Sequence, residues 1–350
     1  MLHRFEHIPW KIYILFILWM SPFGAFASQT NAHPMSDSTS YISLITCSPG
    51  DALYARYGHT ALRVYAPQGD IDWIFNYGIF DFNTQFFYWK FVRGETWYQL
   101  GIDYTHHFLA TYAQNGRKVY EQILNLNIEQ KQVLYDALVV NYQPQNRSYL
   151  YNFVYDNCAT RPYSLIKQSL GIKQLSSSYK GWEGKTYRSF IDHYTRPGSY
   201  ESFGINLIFG SRSQVRMNNE ERLFLPEELM FYMQDAQQVD GTPLIIKSHC
   251  LTDGTEGIAP FVIKTTPWYA TWYVGLIVFA LINLTISLLD RKRGKLSTWF
   301  DIIMGIIYLV ILIIVIFLTC FSIHPLVGFG WRLLIIPIIH LCCRLVYIVR

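Results

Sequence analysis

The stretch Tyr151-Asn-Phe-Val-Tyr-Asp-Asn157-Cys158 runs straight into residues Ala159 to Leu170, where apolar side chains recur at helical spacing until Gly171 stops them. This pattern predicts a helix with Asn157 as its N-cap and Cys158 as its first residue. A thiol in that position faces the positive end of the helix macrodipole and unpaired N–H groups, and both favour the thiolate. A free cysteine is more commonly a buried core residue. Position alone therefore does not make Cys158 a nucleophile; it needs a base.

The candidate base is His59, in Tyr57-Gly58-His59-Thr60. Residues His59 to Tyr65 and Asp72 to Phe82 are β-branched and aromatic runs flanking Pro67-Gln68-Gly69-Asp70, which predicts a hairpin. A strand histidine packed on a helix-N-terminal cysteine is the papain-type layout, in which imidazole takes the thiol proton. Here the histidine comes first in the chain, the circularly permuted order. If residues 67 to 70 form the turn, Ala66 faces Ile71 and His59 faces Gly78. Asn76 then lies on the same face, two residues away, and is the candidate to orient the imidazole. Asp72 replaces it if a register shift or bulge brings it closer.

The rest of the chain supplies an α+β setting. Tyr41 to Thr46 predicts a strand, residues 51 to 58 a short helix closed by Gly58, and His106 to Gln114 and Ile128 to Tyr142 further helices. Of the 350 residues, 51% are hydrophobic and only 15% charged, against about 25% charged in ordinary soluble domains. The apolar excess is concentrated near the N-terminus and after Pro267. Arg4 and Lys11, the apolar run Ile12 to Met20, and Ala25-Phe26-Ala27 predict a signal peptide (residues 1–27) cut before Ser28. Trp268 to Leu289, Ile302 to Phe321 and Trp331 to Val349 predict about three membrane spans within residues 268–350. Arg291, Lys292, Arg293 and Lys295 mark the first loop as cytoplasmic, which leaves residues 28–267 outside as one periplasmic domain. A net charge of +4 is too small to argue for nucleic acid, and nothing in the sequence calls for a metal or cofactor. Six cysteines without CxxC pairs argue against a zinc or disulfide framework. A Cys47–Cys250 disulfide is conceivable in an oxidising compartment.

The blocks Leu44-Ile-Thr-Cys-Ser-Pro-Gly50-Asp, Tyr57-Gly-His-Thr-Ala-Leu-Arg63, Phe75-Asn-Tyr-Gly-Ile-Phe80-Asp-Phe, Phe91-Val-Arg-Gly94 and Tyr151-Asn-Phe-Val-Tyr-Asp-Asn-Cys-Ala-Thr-Arg161 resemble the Bacteroidetes-type lipoprotein N-acyltransferase (Lnb) family. The resemblance implies a permuted NlpC/P60-like thiol fold with Cys158 and His59 as the catalytic pair, followed by a C-terminal membrane domain. It implies a multi-pass protein of the inner membrane that takes an acyl chain from a phospholipid and gives it to diacylglyceryl lipoproteins. The membrane region is shorter, by a helix or two, than the family leads one to expect.

Substrate-binding candidates are Arg63, Tyr77, Asn157 and Tyr155. Arg63 shares the parity of His59 and could hold a lipid phosphate or pair with Asp72 or Asp81. Asn157 is chiefly a cap, and Tyr155 could support an oxyanion or simply pack. Arg93, Glu95 and Arg161 read as structural ion pairs. Two other functions use the same residues. A cell-wall amidase would use the dyad without requiring membrane spans, and a binding module would hold the pair inert. Formation of triacyl lipopeptide, cleavage of muropeptides, or no turnover separates the three.

Overall fold

The computed structural model describes residues 34–80 and 84–348. The expected signal peptide, Asp81 and Phe82 lie outside these residues. Seven strands form one antiparallel sheet: β1 (Tyr41–Cys47), β2 (His59–Ala66), β3 (Ile71–Ile79), β4 (Trp97–Tyr104), β5 (Val119–Leu124), β6 (Ser148–Leu150) and β9 (Ile245–Cys250), in the order β6-β4-β3-β2-β1-β5-β9. A separate small ribbon pairs β7 (Ser176–Ser177) with β8 (Ala236–Gln237). The helices between strands are α1 (Phe87–Arg93), α2 (Thr105–Gln114), α3 (Ile128–Tyr142), α4 (Thr160–Ser169), α5 (Tyr187–Tyr194), α6 (Tyr200–Ile208) and α7 (Pro226–Gln234).

Both faces of the sheet are covered, so the alternation in its strands is apolar on either side. Leu44, Leu62, Val64, Phe75 and Leu100 face Leu134 and Leu138 of α3, Ile166 of α4 and Leu229 of α7. Ile45, Cys47, Ala61, Ile74 and Val119 point the other way, under Phe108 of α2. Residue parity therefore decides which layer a side chain enters. The same parity puts His59 and Asn76 on the α2 side.

The turn after β2 is a single 3-10 turn, Pro67–Gly69, and Asp70 takes the left-handed conformation that brings the chain back. Ala66 faces Ile71 and Leu62 faces Phe75, the register expected from the sequence. At the other end of β2, Gly58 has φ +80°, and a Cβ there would lie 2.7 Å from the Cys47 carbonyl oxygen. The expected helix over residues 51 to 58 is only the 3-10 turn Leu53–Ala55.

After Pro267 come α8 (Trp272–Arg293) and α9 (Thr298–Phe321), both long and apolar enough to cross a membrane. The expected third span is different. It is a 3-10 turn, Trp331–Leu334, followed by the 14-residue α10 (Ile335–Ile348). At 1.5 Å per residue α10 is about 21 Å long, short of a hydrocarbon core of ~30 Å. It is tied to its neighbours by polar contacts: Arg344 reaches Asp290 at 2.7 Å and Asp301 at 2.6 Å, and His340 Nδ1 meets Asn283 Oδ1 at 2.6 Å.

The Cys47–Cys250 disulfide does not form. Cys47 pairs with Val119 on one side of β5, and Cys250 pairs with Tyr120 on the other. Two strand spacings, roughly 9–10 Å, separate them, beyond the ~7 Å Cα limit for a bridge.

Because the residue before His59 must hold a positive φ against a carbonyl, Gly58→Ala is expected to cost about 2 kcal/mol or more. The measurement is thermal unfolding of the detergent-solubilised protein. An unchanged midpoint would mean that β1 and the Phe261 ring, which would lie 2.9 Å from the added Cβ, yield to the methyl.

Candidate active site

The helix bearing the cysteine begins with Asn157. Its carbonyl oxygen accepts the Arg161 N–H at 3.2 Å, and its side-chain Oδ1 accepts the N–H groups of Ala159 at 2.8 Å and Thr160 at 2.9 Å. The hydroxyl of Thr160 returns the bond, accepting the Asn157 N–H at 2.8 Å. This reciprocal pair is a capping box. Regular helical geometry starts at Thr160, two residues later than expected, so Cys158 sits in the turn that the cap holds shut and not in the helix itself. The Nδ2 of Asn157 donates to the carbonyls of Phe153 and Phe224 at 2.7 and 2.8 Å. With every polar atom of its side chain engaged by backbone, Asn157 positions the cysteine and has nothing left to offer a substrate.

The thiol faces the start of β2. Its sulfur accepts the backbone N–H of Thr60, the residue after His59, and that of Cys158 itself. Gly78, with φ +97°, leaves a hollow where a side chain would stand. A Cβ there would lie 3.8 Å from Cys158 Cβ, 3.9 Å from His59 Cε1 and 3.9 Å from Tyr151 Cε2. The cysteine, the histidine and a tyrosine thus border one space that only a glycine leaves open. Next to Cε1 in the same ring, His59 Nε2 meets Asn76 Oδ1 at 2.6 Å. An amide oxygen only accepts, so Nε2 carries the proton and Nδ1 keeps its lone pair.

The protonation states differ from the thiolate expected at a helix start. Burial pushes the Cys158 thiol up to about 11, outweighing the two N–H groups at its sulfur. Burial also pushes His59 down to about 4, against the opposing hydrogen bond from Asn76 and aided by the nearby Arg117 charge. Desolvation wins over the helix dipole because neither group has a counter-charge beside it. At neutral pH the pair is thiol and neutral imidazole, with about one thiol in 10,000 ionised.

The remaining candidates are dispersed. Asp72 does not reach the imidazole: it forms a two-pronged ion pair with Arg63 at 2.7 and 2.9 Å and accepts from the Thr105 hydroxyl. Arg63 also contacts buried Glu121 at 3.0 Å and lies over the rings of Tyr41 and Tyr65. Its guanidinium is saturated by protein, and the pairing with Asp72 replaces the alternative of a bound phosphate. Tyr77 is buried, its hydroxyl accepting from Asn141 Nδ2 at 2.9 Å. Tyr77 and the exposed Tyr155 both line a cavity of about 250 Å³ with Asp156 and Arg161. Arg161 pairs with Asp156 and covers the Tyr149 ring at 3.6 Å, and Arg93 pairs with Glu95. Sequence reasoning missed Tyr151 and Gly78. The hairpin register already set Gly78 opposite His59, but nothing in the sequence places the Cys158 turn over that point.

Two outcomes follow for the resting site. Alkylation of Cys158 by iodoacetamide is expected to rise with pH through neutrality, about tenfold per unit, levelling off near pH 11. A rate flat from pH 5 to 9 would instead mean a standing thiolate–imidazolium pair. Asn76→Ala is expected to lower turnover by ten- to a hundredfold with little change in unfolding temperature, because the ring loses its orienting acceptor. Asp72→Ala is expected to act on stability, through Arg63. The reverse ranking would reject the assignment of Asn76.

No curated protein and no solved structure matches the chain. Residues 29–192, the stretch that holds His59, Asn76, Gly78 and Cys158, match the family described as the Lnb N-terminal periplasmic domain. That stretch of the chain is therefore assigned to the Lnb N-terminal periplasmic domain family.

Proposed function

We propose that the protein is a lipoprotein N-acyltransferase with Cys158 as nucleophile, His59 as acid and base, and Asn76 as the residue that orients His59. The observation that carries this reading is the hollow at Gly78, bordered by Cys158 Cβ and His59 Cε1, with Asn76 holding Nε2 and leaving Nδ1 free of that bond. In this reading the histidine precedes the cysteine in the chain, the permuted papain or NlpC/P60 order expected from the sequence. The match of residues 29–192 to the Lnb N-terminal periplasmic domain supports it.

Because the resting thiol is protonated, ionisation accompanies attack. As the ester carbonyl of a phospholipid enters the hollow, His59 Nδ1 takes the Cys158 proton while sulfur bonds to the carbonyl carbon. The tetrahedral oxyanion is stabilised by the Cys158 N–H, a donor worth about 10²- to 10³-fold in rate at such sites. The carbon–oxygen bond to glycerol then breaks, and His59 gives its proton to the departing lysophospholipid oxygen. In the second half, the α-amino group of a diacylglyceryl cysteine attacks the thioester. His59 removes a proton from nitrogen and returns it to the Cys158 sulfur as the carbon–sulfur bond breaks. The products are an amide and the regenerated thiol. Water would divert the thioester to fatty acid, so the burial that keeps the pair neutral also protects the intermediate.

Residues 28–267 act outside the cytoplasm in this reading. Residues 268–350 hold them at the inner membrane, with Arg291 to Lys295 on the cytoplasmic side.

The test uses full-length protein in phospholipid with a diacyl lipopeptide. Triacyl lipopeptide and lysophospholipid are expected in equal amounts. Cys158→Ala and His59→Ala should each lose at least a thousandfold in rate while remaining folded. Phospholipid alone should load an acyl group on Cys158 that neutral hydroxylamine releases as a hydroxamate. Transfer by Cys158→Ala would sink the mechanism, and cleavage of muropeptides instead of lipid would favour an amidase.

A further inference from the structure

The site at Gly78 is linked to the membrane helices by a line of aromatic rings. Tyr151, which borders the hollow, stacks on Tyr98 with centroids 4.2 Å apart and ring planes 24° apart. Tyr98 meets Phe80 at 5.0 Å, Phe80 meets Phe87 at 5.8 Å, and Phe87 meets Phe91 at 6.1 Å. Each spacing is within the range of packed aromatic pairs. The line ends on α1, a helix entered from β3, the strand that carries Asn76 and Gly78.

The helix α1 is fastened to the end of α9 remote from the basic loop. The Arg93 carbonyl accepts the Ile323 N–H at 2.9 Å, and the Phe91 carbonyl meets His324 Nε2 at 2.8 Å. Trp89 packs on Phe317 at 5.1 Å. Phe317 lies four residues inside α9, about 6 Å below its end. If α9 crosses a bilayer, α1 lies at the depth of the outer leaflet and not above it.

Its side chains suit that depth. Phe86 is 68% exposed, Trp89 53%, Phe91 48% and Val92 38%. Phe86, Trp89 and Val92, at i, i+3 spacing, present one exposed apolar face of the kind that marks an interaction surface. The patch is continuous with the lipid-facing surface of α9, so one cover, the outer leaflet, serves both. Lys90 and Arg93 in the last turn can extend towards headgroups while their stems stay in lipid.

We infer that α1 is an interfacial helix embedded in the outer leaflet, and that the rings from Phe91 to Tyr151 form the track along which an acyl chain passes between bilayer and hollow. The inference rests on the acyl-transfer reading and assigns its donor as a long-chain lipid drawn sideways from the membrane, not a soluble ester.

The test is photolabelling, which needs no turnover. Full-length Cys158→Ala protein is reconstituted in phosphatidylglycerol–phosphatidylethanolamine vesicles that contain phosphatidylglycerol with a diazirine on its acyl chain. Adducts are then mapped by mass spectrometry. Labelling is expected on α8 and α9, on residues 86–92, and on Tyr98 or Tyr151. Val239, exposed and remote from the membrane, should carry none. Labelling confined to α8 and α9 would overturn the insertion of α1, and labelling that stops at α1 would overturn the track. Benzoylphenylalanine at position 86, 89 or 92 gives the reciprocal measurement, with lipid adducts expected at two of the three positions or more. Lipid on the track combined with a native protein that forms no thioester would reject the acyl-transfer reading while leaving the membrane contact standing.

Discussion

The hydrogen bond between His59 Nε2 and Asn76 Oδ1, at 2.6 Å, depends on the register of one hairpin. Were β3 shifted by one residue against β2, Asn76 would move to the opposite face of the sheet and Phe75 would point at the imidazole. The register is held at the turn by Pro67 to Asp70, and along the strands by Leu62, Val64 and Phe75 in the principal core. Burial of these residues contributes roughly 1.5–3 kcal/mol each. A one-residue slip would forfeit most of that, far more than the about 1 kcal/mol typical of a single side-chain hydrogen bond. The core therefore aims the His59 ring, and Asn76 only holds it once aimed.

The cysteine is fixed by a second, independent device. Asn157 ties its own helix start to Phe153 and to Phe224, so the Cys158 turn is anchored to the chain on both sides of the site. Hairpin and cap meet at Gly78 and at the Thr60 N–H. A Cβ there would reach van der Waals contact with both Cys158 and His59 and fill the space between them, so glycine serves here as space as well as for its positive φ.

Much of this was legible in the sequence because it is local. The hairpin register, the cap at Asn157 and the two long apolar helices each follow from residues within a few positions of one another. What could not be read is what depends on distant packing. Whether Arg63 faces a ligand or Asp72 turns on Glu121 and Thr105, which come from β5 and from the start of α2. The separation of Cys47 from Cys250 is fixed by β5 lying between their strands. The ionisation of Cys158 went the other way for the same reason. A sequence shows the helix end that lowers a thiol pKa but not the degree of burial that raises it, and burial is the larger effect here.

That neutral resting pair bears on how the protein lives beside a membrane. A preformed thiolate in an oxidising compartment is open to oxidation and to hydrolysis of any acyl group it acquires. A buried thiol beside a neutral imidazole is protected from oxidation. Under the proposed function it would gain nucleophilicity only when a carbonyl carbon occupies the hollow and His59 can take the proton, at the cost of a slower first step. Attachment to α8 and α9 would offset that cost, because a lipid confined to the leaflet beside α1 has a high local concentration whatever its concentration in water. Slow ionisation and membrane confinement are then two halves of one arrangement, in which reactivity is withheld until the partner that needs it is already in place.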